Sequence, residues 1–361
     1  MITIGVVVNP VAGMGGRVGL HGTDGSTLHE AVRQGAAPVA PHRARRAFDR
    51  LHALAPDVPV VAVEGPMGTD HLPGSGWILK TLPGNTSGPT SAADTRAAVR
   101  AMADAGVGLV LFVGGDGTAR DVVETVGVAV PILGVPSGVK MHSGVFATGP
   151  ETAGDTAARF ATTLLGTREA EVVDLAGNAS PHLYGVARVP QVPNALQAAK
   201  SLHTGDGHLA GLGQEIAAET PADRLLLLGP GTTVAHVNAA LNLPSSPLGV
   251  DVVRGGELLA ADANETELLA LLAAGPPATL VLGVVGGQGF LLGRGNQQIS
   301  PAVLAAVGSV EIVAAAGKIA ALDPPVLRID VGDEHPAAPI TGYRKVRTGR
   351  GRSTVMRVVA Q

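Results

Sequence analysis

The chain has 361 residues, a formal net charge of −4 and no cysteine. The charged fraction of 16% and the slightly acidic balance argue against a general nucleic-acid or anionic-membrane binder. The absence of cysteine excludes disulfides, thiolate metal sites and a cysteine nucleophile.

Hydrophobic residues make up 45% of the chain and aromatic residues only 2%, so the core must consist of small aliphatic side chains. The 50 glycines and 26 prolines require many turns, and this composition favours α/β architecture. We find no apolar run of the ~18 residues that a membrane span needs. The first ten residues pass from an apolar run straight into a turn, unlike a signal peptide. We therefore expect a cytoplasmic location.

The N-terminal residues predict a strand and a glycine-rich loop. Residues 2–8 have the apolar, β-branched character of a buried strand, which stops at Asn9. Residues 13–25 contain six glycines, in a spacing that fits neither a Gly-Lys-Ser/Thr phosphate loop nor a Gly-x-Gly-x-x-Gly helix start. Loops at the carboxyl ends of parallel strands are where open α/β sheets bind ligands, although a plain flexible connector is the alternative. The candidate phosphate or ribose contacts here are Asn9, Gly13 and Gly15.

A helix over 43–54 and a strand over 58–63 are predicted next. Residues 65–89 are rich in Gly, Pro, Ser and Thr and form either an active-site flap or a surface excursion. Ser91 and Asp94 predict a capping box for a helix over 92–105.

The stretch 106–126 predicts a strand, a tight loop and a helix in direct succession. Glycines allow a ligand to approach the loop backbone, and the helix start suits a phosphate. Because a carboxylate repels phosphate, we expect Asp116 either to accept a proton from an attacking hydroxyl or to help hold a magnesium ion. Filling a turn is the alternative. The loop consists of Gly114, Gly115, Asp116, Gly117 and Thr118.

A second polar loop, 136–144, follows a predicted strand at 131–135, and Lys140 is its only cation. The loop comes one βα unit after Asp116, so we expect it at the adjacent strand end. There Lys140 can reach a terminal phosphate as a point charge, and a solvated surface lysine is the alternative. Further candidates in this loop are Gly138, Ser143 and His142.

Residues 151–220 predict a mixed connecting region. A helix over 151–165 precedes short strand-like pieces at 171–175 and 183–189. The run 203–208 holds two histidines and an aspartate among glycines, and it forms either a metal site or a solvated loop.

A second α/β pattern begins at residue 224, with a strand over 225–228, a loop and a helix over 234–241. Asp251 lies at the sequence distance of the ribose-binding acid of a dinucleotide fingerprint, but the third glycine of that motif is missing. Ordinary phosphate contact and a structural turn are the alternatives. Asn264 predicts the cap of a helix that ends near 274. The phosphate candidates in the loop between the strand 225–228 and the helix 234–241 are Gly229, Gly231 and Thr232.

The loop 286–298 follows a predicted strand at 280–285 and combines five glycines with an arginine and several amides. Amides suit the edge of a nucleobase, a ribose or a nicotinamide, and an arginine suits a phosphate. A helix from Pro301 and a strand over 310–314 follow. The ligand candidates are Gly287, Gln288, Arg294, Asn296 and Gln297.

The C-terminal residues predict a β-hairpin with strands at 343–348 and 353–359. Six basic residues within 343–357 could neutralise a polyphosphate; the alternative is a solvated sheet edge guarded by cations.

Three features together resemble the ATP-NAD kinase family, within the wider group that holds diacylglycerol, sphingosine and phosphofructo-kinases. They are Asn9-Pro10 after the first strand, the loop 114–118 and the loop 136–140. The segments GGDGTARDV, GVPSGVKMHSGVFA and GGQGFLLGRGNQQISP are more closely similar to the bacterial and archaeal branch that includes the acetoin-catabolism protein X. The resemblance covers most of the chain.

The resemblance implies ATP, or polyphosphate, as phosphoryl donor, Mg²⁺, and a nucleotide-like small-molecule acceptor such as NAD. It implies that Asp116 acts near a ribose hydroxyl as proton acceptor. From the chemistry of the residues themselves, we expect Lys140 and Arg294 to stabilise phosphate charge. NAD kinases also carry an Asn-Glu pair that contacts the dinucleotide, but here the only such pair, Asn264-Glu265, falls at a predicted helix start. The acceptor therefore stays open.

We predict two Rossmann-like α/β domains with a mixed central region and a C-terminal β-hairpin. The predicted segments are 1–150, 151–220, 221–325 and 326–361, with the hairpin packing back on the protein and residues 224–322 alternating strand and helix, unlike the β-rich second domain of NAD kinases. We expect a homo-oligomer without nucleic-acid or membrane partners. A lipid kinase and a non-catalytic nucleotide-binding regulator are the alternatives; a Pro-Leu-Gly-Thr-Ala-Asn-Asp type segment, expected of a lipid kinase, is missing.

Overall fold

The computed structural model describes the chain except for residues 21–25, 73, 86–88, 139–140, 164, 176–180, 193–206, 247–248, 274, 276, 286–288, 332–339 and 361. The chain divides into two compact units. The first contains Met1–Met14 and Gly22–Lys200, and the second contains Gly15–His21 and Ser201–Gln361. Both units combine helices with sheets, which confirms the predicted α/β class. Among the described residues, no helix has both the length and the apolar character needed to cross a bilayer.

The first unit is built on a parallel sheet in the order β3-β2-β1-β4-β5. Its strands are β1 (Ile4–Val8), β2 (Val60–Val63), β3 (Leu79–Leu82), β4 (Leu109–Gly114) and β5 (Ile132–Pro136). Its helices are α1 (Ser26–Arg33), α2 (Ala40–Leu54), α3 (Ala92–Asp104), α4 (Asp116–Val126) and α5 (Pro150–Thr162). The edge strand β3 lies inside the stretch 65–89, which the sequence led us to expect as a flap or a surface excursion.

The apolar strands of this sheet are buried because helices cover both faces. Strands β1, β2, β4 and β5 consist of buried residues. One core joins Phe48 and Leu51 of α2 to Ala157 of α5, and the other joins Met102 of α3 to Val122 of α4. Burial of both faces explains why these strands appear in the sequence as continuous apolar runs.

The strand order reverses between β1 and β4. From β1 the chain builds β2 and β3 on one side, and then crosses to β4 and β5 on the other. The loops that follow β1 and β4 therefore leave neighbouring strands in opposite directions. In open α/β sheets, ligands bind at such a switch point beyond the carboxyl ends of the strands.

The predicted capping box of α3 is confirmed. The Ser91 hydroxyl accepts from the Asp94 backbone N–H, and the Asp94 carboxylate accepts from the Ser91 N–H at 2.8 Å. The hydrogen bonds from Ser91 lower the pKa of the Asp94 carboxyl. Local sequence alone therefore specified the start of this helix.

The predicted connecting region divides between the two units. Helix α5 and the antiparallel pair β6 (Thr167–Leu175) and β7 (Pro181–Pro190) lie in the first unit, where Val172 and Ala187 join the core beside α4. Helix α6 (Gly207–Glu219) lies in the second unit. The candidate metal run 203–208 falls mostly outside the described residues.

The second unit is built on a mixed sheet in the order β10-β9-β8-β11-β13-β15-β16-β14-β12. Its strands are β8 (Leu225–Leu228), β9 (Asp251–Arg254), β10 (Glu257–Ala260), β11 (Ala278–Gly283), β12 (Phe290–Leu292), β13 (Ser309–Val313), β14 (Val326–Ile329), β15 (Gly342–Gly349) and β16 (Arg352–Ala360). Its other helices are α7 (Thr232–Ala240), α8 (Glu265–Ala273), α9 (Pro301–Ala306) and α10 (Ala316–Ala320).

The expected alternation of strand and helix over 224–322 is wrong in part, because this region is richer in strands. The hairpin β9–β10 and the short strand β12 interrupt the alternation. A turn at Gly255 and Gly256, both with positive φ, joins β9 to β10. Strands this short carry little periodicity of their own, and their pairing partners define them.

The predicted C-terminal hairpin is confirmed, since β15 and β16 pair antiparallel along most of their length. It is not a sheet edge, because β13 lies beside β15 and β14 lies beside β16. Arg347 forms ion pairs with Glu215 at 2.5 Å and Glu219 at 2.8 Å, so α6 neutralises part of the basic charge.

Candidate active site

Three loops of the first unit meet beyond the carboxyl ends of β1, β4 and β5. The Asn9 side-chain amide donates to the Thr118 hydroxyl at 3.1 Å, which joins the loop after β1 to the start of α4. The Ser137 N–H donates to the Gly114 carbonyl at 2.9 Å, which joins the loop after β5 to the loop after β4. The structure thus brings together candidates separated by more than one hundred residues.

Glycines allow these loops to pack backbone against backbone. A Cβ on Gly138 would lie 2.7 Å from the Gly115 Cα, and a Cβ on Gly114 would overlap the Thr118 side chain. By contrast, a Cβ on Gly117 would come no closer than 4.0 Å to Asp174. Gly114, Gly115 and Gly138 are therefore needed for loop packing, and Gly117 is the glycine of this set with space above it.

Gly13 requires glycine for two independent reasons, and its replacement should be costly. Its φ is +81°, and a Cβ there would overlap the Ser137 carbonyl. We expect Gly13→Ala to lower the free energy of unfolding by roughly 3 kcal/mol. Alanine is strained in the left-handed conformation, and its Cβ would force the backbone at Ser137 to move. The control is Gly106→Ala, where φ is +77° but nothing lies within 4 Å, so that about 1 kcal/mol should be lost. Equal losses in urea unfolding would contradict the close approach of the two loops.

Asp116 is the first residue of α4 and its carboxylate is held by the loop after β5. Oδ1 accepts from the Ser143 N–H at 3.1 Å and from the Ser143 hydroxyl at 2.6 Å. Oδ2 accepts from the His142 N–H at 2.6 Å and lies 3.3 Å from the His142 Nδ1. The residue is only 4% exposed. The Ser143 hydroxyl also lies 2.9 Å from the Val173 carbonyl, and its single hydrogen serves one of these two acceptors at a time.

The neighbouring charged groups lie on the next turn of α4 and on β6. Arg120 pairs with Asp174 at 3.2 Å and stands over the Tyr184 ring. Burial opposes the charge of Arg120, but the carboxylates of Asp121 and Asp174 outweigh it and raise the pKa of the guanidinium. Burial raises the pKa of the Asp121 carboxyl despite the nearby Arg120 and Arg96. Arg120 therefore provides a permanent positive charge one turn from Asp116.

The ligand candidates after β8 in the second unit lie at the start of α7. Gly231 has a φ of +116° with open space around its Cβ position, and Thr232 is exposed. The Gly229 N–H donates to the Val281 carbonyl of the neighbouring strand β11 at 3.0 Å. Gly15 also belongs to the second unit, where its carbonyl accepts from the Leu20 N–H.

The polar side chains that follow β12 contact their own loop and Asp330, which follows β14. Arg294 donates to Asp330 at 2.7 Å and stands over the Phe290 ring at 4.4 Å from its centroid. Asn296 accepts from the Gly293 N–H and donates to the Leu291 carbonyl. Gln297 lies 3.4 Å from the Gly293 carbonyl. These contacts give Arg294 and Asn296 a structural role.

The comparison with family models gives two matches in chain order. Residues 4–164 match the ATP-NAD kinase N-terminal domain, and residues 222–358 match the ATP-NAD kinase C-terminal domain. The chain belongs to the ATP-NAD kinase family. The first match includes the three converging loops and Asp116, and the family supports kinase-like phosphoryl transfer. Comparisons with curated proteins and with solved structures gave no match.

Several sequence-based candidates of this ATP-NAD kinase family member have no described geometry. Lys140, Gly287 and Gln288 lie outside the described residues, so their phosphate or ligand roles stay predictions.

The possible ribose role of Asp251 is not supported, because its carboxylate is buried and accepts from Asn238 at 2.9 Å and from two backbone N–H groups. Asn264 caps α8 as predicted, since its side chain accepts from the Glu267 N–H at 3.0 Å.

Sequence reasoning did not single out Arg120, Asp174 and Tyr184. A usable signal existed only for Arg120, because a residue four positions after Asp116 shares its face of a helix. Asp174 and Tyr184 lie beside Arg120 because β6 pairs with β7. That pairing depends on long-range packing against α4.

Ser143 connects Asp116 to β6 and is fully buried. Its hydroxyl lies 2.6 Å from Asp116 and accepts from the Val173 N–H at 3.0 Å. We expect Ser143→Ala to lower the free energy of unfolding by about 1–3 kcal/mol, because the Val173 N–H loses its acceptor and Asp116 loses a donor. Chemical denaturation measures the loss. The control is Thr163→Ala, which removes an exposed hydroxyl bond and should cost much less; an equal cost would contradict the buried network.

Proposed function

We propose that this ATP-NAD kinase family member transfers the terminal phosphoryl group of ATP to a hydroxyl of a nucleotide-like small molecule. NAD is the first acceptor to test, because the family is that of ATP-NAD kinases. Polyphosphate is the second donor to test. The observation that carries the proposal is the position of Asp116, beside the strand-order reversal between β1 and β4, where three glycine-rich loops meet.

The proposed roles follow from what each group offers. Phosphoryl transfer depends on positioning and on stabilising charge on the transferred group. Glycine-rich loops and the start of α4 offer backbone N–H donors, and Lys140 is proposed to add a positive charge. Proton removal from the acceptor hydroxyl is proposed to depend on Asp116. We leave Arg294 out of this set because it is buried against Asp330.

The residues around Asp116 do not fit a magnesium site held by the protein. Both of its carboxylate oxygens accept from backbone N–H groups of Ser143 and His142, and the described part of the chain contains no group of three His, Asp or Glu residues placed to hold a metal. Magnesium is commonly bound through substrate phosphates with few protein ligands. We therefore expect Mg²⁺ to arrive with the donor nucleotide, whose negative charge it neutralises.

The direct test is an acceptor screen with the purified protein. ATP and Mg²⁺ are incubated with NAD, NADH, nucleosides, nucleotides and sugars, and both ADP and the phosphorylated acceptor are quantified. We expect equal amounts of ADP and product with at least one nucleotide-like acceptor. NADP formation would identify NAD as the acceptor. Absence of transfer from both ATP and polyphosphate to every member of the panel would overturn the proposal.

A further inference from the structure

The Arg120 side chain lies over the first turn of α4, where the backbone has open space above it. Helix side chains tilt toward the N-terminus of their helix, so a side chain at position 120 lies over positions 116 and 117. Its guanidinium donates to the Asp174 Oδ2 at 3.2 Å, and that oxygen lies 4.0 Å from the Cβ position of Gly117. Arg120 and Asp174 therefore border the space above Gly117, the residue that follows Asp116.

Two contacts orient the guanidinium and leave part of it for a ligand. Asp174 accepts one N–H at 3.2 Å, a longer contact than the 2.6 Å between Arg96 and Asp121. The guanidinium carbon also stands over the Tyr184 ring, 5.4 Å from its centroid, which suits a cation–π contact. A guanidinium carries several N–H donors in a planar fork, and these contacts engage only part of it. The Arg120 side chain is 31% exposed, so a ligand can reach the rest.

Arg120 faces away from the loop after β1, whose candidate role is to contact donor phosphate. Thr118 of α4 accepts from Asn9 of that loop at 3.1 Å. With about 3.6 residues per turn, positions 118 and 120 point about 160° apart around the helix, whereas positions 116 and 120 differ by about 40°. Arg120 therefore shares the face of Asp116, on which the acceptor hydroxyl is proposed to lie.

Strand β6 fixes Arg120 relative to Asp116. Ser143 donates to Asp116 through its N–H and its hydroxyl, and the same hydroxyl accepts from the Val173 N–H at 3.0 Å. Asp174, the next residue of β6, accepts from Arg120. Adjacent residues of one strand thus hold the two groups, which gives the carboxylate and the guanidinium a defined spacing.

We propose that Arg120 binds a phosphate group that the acceptor already carries, and so selects a nucleotide over a nucleoside or a free sugar. This inference rests on the proposed function, and it leaves proton removal with Asp116. A planar guanidinium matches two oxygens of a phosphate with parallel N–H bonds, and it discriminates best when its own partners fix its orientation. Asp174 and Tyr184 are the positioning residues that do so.

The first test measures binding without turnover. Isothermal titration calorimetry compares adenosine, AMP and NAD, with the donor site filled by a non-hydrolysable ATP analogue and Mg²⁺. We expect the wild type to bind AMP or NAD about 10- to 100-fold more tightly than adenosine, because charge-assisted hydrogen bonds add to the affinity, and Arg120→Met to lose most of this ratio. Arg96→Met, which breaks the other arginine–carboxylate pair of α4, should keep the ratio.

Three results of this titration would overturn the inference. The first is a wild type that binds neither nucleotide more tightly than adenosine. The second is a ratio that Arg120→Met leaves unchanged, and the third is a ratio that falls equally in Arg96→Met. Asp174 is 22% exposed, so its loss of a partner should cost little stability, and melting curves check that both variants are folded.

The second test separates the acceptor from the donor by steady-state kinetics. With the acceptor found in the screen, Arg120→Met should raise the KM for the acceptor by about 10- to 100-fold and leave the KM for ATP unchanged. Arg120→Lys keeps the charge without the planar fork, so it should recover only part of the affinity. A rise in the KM for ATP alone would place Arg120 at the donor and overturn the inference.

The outcomes keep this inference apart from the proposed function. Nucleotide binding that depends on Arg120, without phosphoryl transfer, would overturn the proposed function and leave Arg120 as a phosphate-binding residue. Phosphoryl transfer to an uncharged acceptor, with a KM that Arg120→Met does not change, would overturn the inference while the proposed function stands.

Discussion

Asp116→Asn should lower kcat by about 10²- to 10⁴-fold while the protein stays folded. Asparagine removes the negative charge and offers one acceptor oxygen in place of two. Its amide N–H₂ must then face either Ser143 or His142, which are themselves donors. The loop after β5 loses part of its anchor, and the carboxylate on which proton removal is proposed to depend is lost. Steady-state kinetics with the acceptor found in the screen, together with thermal melting, measure the two effects.

The matched control for this variant is Asp121→Asn on the same helix. Asp121 is also a buried carboxylate, and it pairs with Arg96 at 2.6 Å on the side of α3. Its loss should lower the melting temperature but leave kcat unchanged well below that temperature. If Asp116→Asn and Asp121→Asn lose kcat equally, the effect is one of general destabilisation, and the special role of Asp116 is contradicted.

Arg294→Met should lower the free energy of unfolding by about 3–5 kcal/mol, because it leaves the Asp330 carboxylate buried without its cation. The two side chains are 7% and 1% exposed, and the guanidinium is held at 2.7 Å from the carboxylate. Methionine is similar to arginine in length and volume, so the lost free energy of unfolding measures mainly the loss of the Arg294–Asp330 ion pair. Urea unfolding of the purified variants measures it.

The double variant Arg294→Met with Asp330→Leu separates a structural role of Arg294 from a phosphate role. Replacing both partners of a buried ion pair by apolar groups is often close to neutral, so the double variant should recover most of the lost stability. It should also keep the KM for ATP. If the stability of Arg294→Met is unchanged and its KM for ATP rises, Arg294 binds phosphate as the sequence first indicated.

The parts of the fold that sequence predicted well depend on local signals. The strand β4, the loop 114–118 and the helix α4 follow one another without interruption, so the end of each element fixes where the next one begins. The capping boxes at Ser91 and Asn264 lie within four residues. The C-terminal hairpin is likewise defined by its own turn. In these cases the interactions that stabilise the element involve residues adjacent in sequence.

The parts that sequence did not predict depend on distant partners. The donors to Asp116 come from residues 26 and 27 positions later, so the sequence could indicate the carboxylate but not its full set of hydrogen bonds. The loop after β12 is rich in amides, as a ligand site would be. The Asn296 side chain nevertheless spends its oxygen and its nitrogen on hydrogen bonds to the backbone of Gly293 and Leu291. The same donor and acceptor groups serve a ligand or a loop, and only the fold decides between them.

The most direct test of the account is a side-by-side measurement of phosphoryl transfer by the wild type and Asp116→Asn. Both proteins are incubated with ATP, Mg²⁺ and the acceptor panel, and the phosphorylated acceptor is quantified against ADP. The account predicts equal amounts of ADP and phosphorylated nucleotide-like acceptor from the wild type, and at least about 10²-fold slower formation by Asp116→Asn. Equal rates in the two proteins, or no phosphorylated acceptor from the wild type, would contradict it.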